Sequence, residues 1–266
     1  MMRWLIYSHV WLAAVASVLT ASVFYALHLT VDWTYVGIVF LGVITVYNIH
    51  SLVSYSKGVV HPQLKIFIKY RKYNLIFITA LAAILGSMLL YHYIHVNVFW
   101  YISIPALSIM IYERYTLQTN YSKVWQWTKP FLLSASWLYY TVGIPQVITQ
   151  SYHIGFTIIS FVFIFSIVML FELRDSNILD STRDKGWADF LGRRLWVNVY
   201  YIVIGIMIVS SFWNAQSIYQ YLWIVVVGMC LFLILRTRHV FTYLQSMLSW
   251  DGCLLLLAAY FILHHA

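Results

Sequence analysis

The sequence predicts an all-α integral membrane protein with about nine transmembrane helices, and three observations support this fold class. Of the 266 residues, 62% are hydrophobic and only 9% are charged, whereas about a quarter of the residues of a soluble domain are charged. The mean hydropathy is +0.80. Long runs almost free of charge recur along the chain, as expected for helices that cross a hydrocarbon core of ~30 Å.

The apolar runs form one transmembrane helical domain over residues 1–266. Helices are expected because backbone in lipid must satisfy its own hydrogen bonds. The alternating strands of about ten residues that build transmembrane barrels are not seen in the sequence. In chain order, the nine predicted spans are Trp4–Leu27, Tyr35–Tyr55, Asn74–His92, Val96–Tyr112, Phe131–Thr149, Gly155–Leu173, Trp196–Phe212, Tyr219–Leu235 and Ser249–Leu263.

The distribution of basic residues predicts the orientation of the bundle. All 16 Lys and Arg lie before span 1 or in the connections after spans 2, 4, 6 and 8, which share one side of the membrane. By the positive-inside rule this side is cytoplasmic, so the N-terminus is inside and the C-terminus outside. We therefore expect a multi-pass protein of a bacterial-type inner (plasma) membrane. The same distribution explains the pI of 9.4 without a nucleic-acid partner, which would require a basic, aromatic face in a soluble module.

A cluster of acids follows the sixth span. Five of the eight carboxylates occur in this short stretch. Glu172 and Asp175 are three residues apart and share a face if they are helical. Carboxylates of this kind suit Mg²⁺, whose octahedral coordination is completed by waters and phosphate oxygens. Neighbouring basic residues can pair with phosphate oxygens. Spacing alone also allows a solvated loop at the membrane edge, in which acids balance basic residues. The acids are Glu172, Asp175, Asp180, Asp184 and Asp189, and the basic residues are Arg174, Arg183 and Lys185.

The two long, charged connections after spans 2 and 6 resemble those of the UbiA superfamily of intramembrane prenyltransferases. Phe171-Glu172-Leu173-Arg174-Asp175 is similar to the second acidic motif of that family. Similarity continues in Val46-Tyr47-Asn48, at the end of span 2, and in the run from Lys129 to Trp137 at the start of span 5.

The resemblance implies transfer of a polyprenyl group from its diphosphate to a small acceptor, for example an aromatic one. Bound Mg²⁺ would stabilise the departing diphosphate in a dry cavity within the bilayer. The catalytic and metal-binding residues would then be Glu172, Asp175 and Asp180. The diphosphate would be bound by Asn48, His50, Lys57, Lys65, Arg174 and Lys185.

The chain departs from the family pattern at the first acidic motif. No acid occurs between Asp32 and Glu113, so the stretch that begins at Asn48 offers an amide and the His50 imidazole, a poor ligand for Mg²⁺. Asp180 also lies one residue beyond the expected position, a shift of about 100° on a helix. These departures motivate an alternative, a noncatalytic protein of the same fold that binds an isoprenoid or quinone or acts as a scaffold.

A transporter or light-driven pump is a weaker interpretation. No Lys lies inside a predicted span, so a retinal Schiff base has no attachment point. Ionisable residues within the spans, which proton and ion pathways require, are scarce.

Overall fold

The computed structural model describes residues 2–58, 62–91, 93 and 123–178, with isolated positions at 205, 254, 255, 258, 259 and 262. These residues are mostly helical and include no strand, which confirms the helical class. Three helical stretches are long and apolar enough to cross a membrane: Trp33–Ser56, Pro62–Tyr91 and Pro130–Thr149. The number of spans and the orientation stay predictions, because span 4 and, apart from isolated positions, spans 7 to 9 lie outside the described residues.

The predicted first span is divided into two helices, α1 (Met2–Tyr7) and α2 (Val10–Ala26). His9 separates them with left-handed dihedral angles, φ 59° and ψ 13°, which cost roughly 1–2 kcal/mol for a residue other than glycine. The His9 N–H donates to the Ile6 carbonyl at 3.0 Å, and the Ala13 N–H donates to the His9 carbonyl at 2.9 Å. The backbone at the break is therefore hydrogen-bonded despite its place in an apolar run.

The second span is the single helix α3 (Trp33–Ser56), close to the predicted Tyr35–Tyr55. The Asp32 carboxylate caps its first turn by accepting a hydrogen bond from the Tyr35 N–H at 3.0 Å, as side chains with a free oxygen do at helix starts. Its other oxygen accepts a hydrogen bond from the Tyr93 hydroxyl. Helix α3 packs against α2 and α4, so it lies at the centre of this part of the bundle.

Helix α4 (Pro62–Tyr91) begins well before the predicted start at Asn74. Leu64 and Ile68 lie one turn apart and are buried against Ile6 and Tyr7. This apolar stripe explains why the segment is helical although it was predicted as a connection. A kink at Arg71 (φ −125°, ψ 16°) separates this first part from the apolar remainder.

The fifth span combines α5 (Lys123–Leu138), a π-helical turn over Tyr139–Gly143 and α6 (Ile144–Thr149). Pro145 has no N–H to donate to the preceding turn, and such a gap favours a locally wider helix. The Tyr35 hydroxyl donates to the Tyr140 carbonyl at 2.6 Å. An α3 side chain thus supplies a hydrogen bond to the backbone of the irregular turn.

The predicted sixth span corresponds to α7 (Ile154–Ile178), which packs against α5. This helix agrees with the predicted Gly155–Leu173 and continues for five residues beyond it. Gln146 fixes the turn between α6 and α7, because its side chain donates to Thr157 Oγ1 at 2.9 Å and accepts from the His153 N–H at 3.0 Å.

Replacing Asp32 by alanine should lower the free energy of unfolding by about 2 kcal/mol, because α3 loses its cap and Tyr93 its acceptor. Burial and the Asp32 carboxylate both raise the pKa of the Tyr93 phenol. The folded state therefore retains that proton, and its stability should fall as the pH rises above the ordinary tyrosine pKa of about 10. Unfolding in micelles across this pH range measures both effects. Asp32→Asn, the matched control, should retain most of the cap and show a weaker pH dependence.

Candidate intramembrane polar site

A buried hydrogen bond joins the break between α1 and α2 to the middle of α3. His9 Nδ1 lies 2.9 Å from Asn48 Oδ1. His9 is 5% exposed and Asn48 is 0% exposed. Since the Asn48 oxygen can only accept, this contact is a hydrogen bond in the tautomer that carries its proton on Nδ1. The left-handed conformation of His9 and the inward face of α3 together form this contact.

Tyr47 and Trp137 extend the polar contact toward the fifth span. The Tyr47 ring lies 5.5 Å from the His9 ring, centroid to centroid. Trp137 Nε1 donates to the Tyr47 hydroxyl at 2.9 Å. We call His9, Tyr47, Asn48 and Trp137 the His9–Asn48 cluster. It brings together the two stretches, one ending at Asn48 and one ending at Trp137, that carry part of the resemblance to the UbiA superfamily.

The Asn48 side-chain nitrogen is buried and has no hydrogen-bond partner. An unpaired buried amide N–H is costly, by roughly 1–3 kcal/mol, and the cost is higher where water is scarce. The Asn48 oxygen already accepts a hydrogen bond from His9. The side-chain N–H groups of Asn48 are the donors that lack an acceptor. The cluster therefore contains a buried hydrogen-bond donor that no described protein group satisfies.

The cluster lies well inside the bundle and away from the basic residues. We call the end marked by Arg3, Lys57, Lys65 and Lys69 the basic end. Asn48 precedes the last residue of α3, Ser56, by eight positions, which is about 12 Å along the helix axis. The four cluster residues include no carboxylate. A buried site without a carboxylate suits an uncharged group, because a buried charge without a partner is strongly unfavourable.

The other predicted phosphate-binding residues of α3 and α4 lie toward the basic end. His50 is half-buried, two positions beyond Asn48 on α3. Lys57 directly follows α3, and Lys65 lies in the first turns of α4. Both lysines are exposed. Lys57 is nine positions beyond Asn48, about 13 Å along the helix. Asn48 and Lys57, which were predicted to bind the same diphosphate, therefore lie at different depths.

The acids predicted for catalysis and metal binding lie at the end of α7 or beyond it. Glu172, Arg174 and Asp175 belong to α7, so the backbone there is helical, as the prediction of a shared face assumed. Their side chains, together with Asp180 and Lys185, lie outside the described residues. The Phe131 and Phe161 rings are 5.4 Å apart, and Glu172 is eleven positions further along α7, about 16 Å toward the basic end.

Metal-binding chemistry is not evident in the part of the chain that the structure describes. No group of three or more His, Cys, Asp or Glu side chains converges there. The side chains at the end of α7 lie outside this part of the chain, so the Mg²⁺ site stays a prediction.

Sequence reasoning identified Asn48 but missed its partner His9. The available signal was an ionisable residue inside an apolar run, because such residues within membrane spans usually have a functional or pairing role. Tyr47 and Trp137 lay in the similar stretches without an assigned role. Their contact joins residues 90 positions apart, which no local spacing indicates.

Comparisons with protein-family models, curated proteins and solved structures found no match to this chain.

Proposed function

We propose that this protein binds an isoprenoid lipid with a neutral, carbonyl-bearing head group, such as a quinone, in the His9–Asn48 cluster. The observation that carries the proposal is the Asn48 amide nitrogen, which is buried without a hydrogen-bond partner. A carbonyl oxygen would accept the missing hydrogen bond. The isoprenoid tail would remain in the hydrocarbon, which suits an extended apolar chain.

The chemistry of the cluster favours a neutral head group over a diphosphate at this depth. A diphosphate carries several negative charges and requires metal ions or cationic side chains when it leaves water. The cluster supplies an amide, an imidazole and two aromatic side chains. Tyr47 and Trp137 are half-buried, whereas His9 and Asn48 are buried, so the head group would enter from the side of these two aromatic residues.

Polyprenyl transfer is a second candidate, and the position of two acids on α7 favours it. Glu172 and Asp175 belong to the last turns of α7, and near the basic end Mg²⁺ and a diphosphate would remain close to water and to basic residues. This candidate includes the UbiA-like bundle of nine helices, its inside N-terminus and a small acceptor. The reaction would use Glu172, Asp175 and Asp180, with the basic side chains neutralising the diphosphate.

Quinone binding is tested with the purified protein in zwitterionic nanodiscs, titrated with a short-chain isoprenoid quinone. We expect a saturable rise in the unfolding temperature, because a ligand that binds only the folded state stabilises it. Asn48→Leu should weaken the apparent affinity about tenfold, the loss that follows from one buried hydrogen bond of about 1.4 kcal/mol.

Asn74→Leu is the matched control, because Asn74 is an exposed asparagine on α4 and should bind the quinone as the unaltered protein does. Equal binding by the Asn48→Leu and Asn74→Leu proteins would contradict the proposed site. In a second arm, the protein receives a polyprenyl diphosphate, Mg²⁺ and a phenolic acceptor. Release of diphosphate together with formation of the prenylated acceptor, both abolished by Glu172→Gln, would establish transfer and overturn a noncatalytic role.

A further inference from the structure

The first part of α4 is amphipathic in a way that the proposed lipid site does not use. Leu64 and Ile68 are 7% and 0% exposed and pack against α1. On the opposite side of the helix, Ile66, Tyr70 and Tyr73 are 60%, 75% and 85% exposed. An apolar and aromatic face directed away from the protein is typical of a helix at the membrane interface.

Lysines flank this exposed face. Lys65 and Lys69 are four residues apart, so they lie on the same side of the helix before the kink at Arg71. Lys72 directly follows the kink. All three are exposed. The Lys69 ammonium lies 5.8 Å from the Tyr70 ring centroid, a cation–π distance. The segment therefore presents positive charge beside aromatic rings.

The length of α4 places this segment outside the hydrocarbon core. The helix has 30 residues, so it is about 45 Å long, whereas the hydrocarbon core is ~30 Å thick. The excess corresponds to about ten residues, and the basic residues mark the end that extends beyond the core. The kink at Arg71 lies at the transition.

We propose that residues 62–73 form a binding surface for anionic phospholipid head groups. The side chains that contact phosphate are Lys65, Lys69 and Lys72. The side chains that contact the upper acyl region are Ile66, Tyr70 and Tyr73. Juxtamembrane basic residues attract anionic lipid with an effect equivalent to roughly fivefold in affinity for each Lys or Arg. The lipids bound at this surface would belong to the bilayer that surrounds the protein. This binding does not depend on the head-group site proposed at Asn48.

The test measures the binding of short-chain phosphatidylglycerol and phosphatidylcholine to the full-length protein in a zwitterionic detergent by native mass spectrometry. We expect at least a tenfold preference for phosphatidylglycerol. Lys65→Gln/Lys69→Gln/Lys72→Gln should remove the preference, and the corresponding triple replacement by Arg should retain it. Tyr70→Ala/Tyr73→Ala should weaken binding of both lipids, because the acyl contact is lost.

A charge-matched control separates this surface from a general effect of net charge. Lys123→Gln/Arg236→Gln/Arg238→Gln also removes three positive charges that the sequence places on the same side of the membrane, and it should keep the preference. Equal loss in both triple Gln variants, or an unchanged preference in the α4 variant, would overturn the proposal. If soluble glycerol phosphate competed with the lipid and bound with the same affinity, the proposal would also be overturned. The acyl contact would then contribute nothing to the affinity for lipid.

Discussion

Replacing Tyr35 by alanine is expected to lower the free energy of unfolding by about 3–5 kcal/mol, the cost of truncating a large buried aromatic side chain. Tyr35 is 0% exposed and lies in the core cluster that includes Phe24, Val39 and Ile144. Lipid is as apolar as the core, so the loss comes mainly from missing van der Waals contacts in the cavity rather than from exposure to water.

Tyr35→Phe separates the ring from its hydroxyl. The ring remains packed, and only the hydrogen bond to the Tyr140 carbonyl is lost, so the expected decrease is about 1 kcal/mol. Reversible unfolding in mixed micelles, compared among the three proteins, measures both changes. If Tyr35→Ala lowered the free energy of unfolding no more than Tyr35→Phe does, the Tyr35 ring could not be packed in the core as described.

The second large effect concerns the pair of His9 and Asn48. Asn48→Leu retains most of the side-chain volume but leaves the His9 N–H buried without an acceptor. We expect a decrease of about 2 kcal/mol in the free energy of unfolding, within the range for an unsatisfied buried donor. The measurement is again unfolding in micelles, without added lipid ligand.

A double-mutant cycle isolates the contact from other consequences of these changes. His9→Asn is a suitable partner, because asparagine tolerates the left-handed conformation and its shorter side chain does not reproduce the contact. The coupling energy should be about 0.6–1.7 kcal/mol, the range for hydrogen bonds between membrane helices. Strictly additive losses would show that the two side chains do not interact.

Hydropathy predicted the central helix well and the ends of its neighbours less well. Helix α3 lies within two residues of the predicted span at each end, because Asp32 and Lys57 bound its apolar run sharply. The start of α4 was missed because Lys65 and Lys69 lower the hydropathy of a segment that is helical through packing of Leu64 and Ile68. The division of the first span was missed because its left-handed residue is a histidine rather than a glycine.

The candidate site could be predicted only in part. The sequence indicated Asn48 through a resemblance, but the geometry depends on contacts with residues 39 positions before Asn48 and, through Tyr47, 90 positions later. Such contacts follow from how helices pack, which spacing along the chain does not specify. For Glu172 and Asp175 the structure shows a helical backbone, and their shared face stays a prediction from the spacing of three residues.

The most direct test of the central proposal is the carbonyl stretching frequency of an isotope-labelled isoprenoid quinone bound to the protein, measured by infrared difference spectroscopy. We predict a shift to lower frequency relative to the quinone in lipid, because the Asn48 N–H donates to the carbonyl oxygen. The shift should persist in the Asn74→Leu protein and disappear in the Asn48→Leu protein. The same carbonyl frequency in both variants would contradict the assignment of the His9–Asn48 cluster as the head-group site.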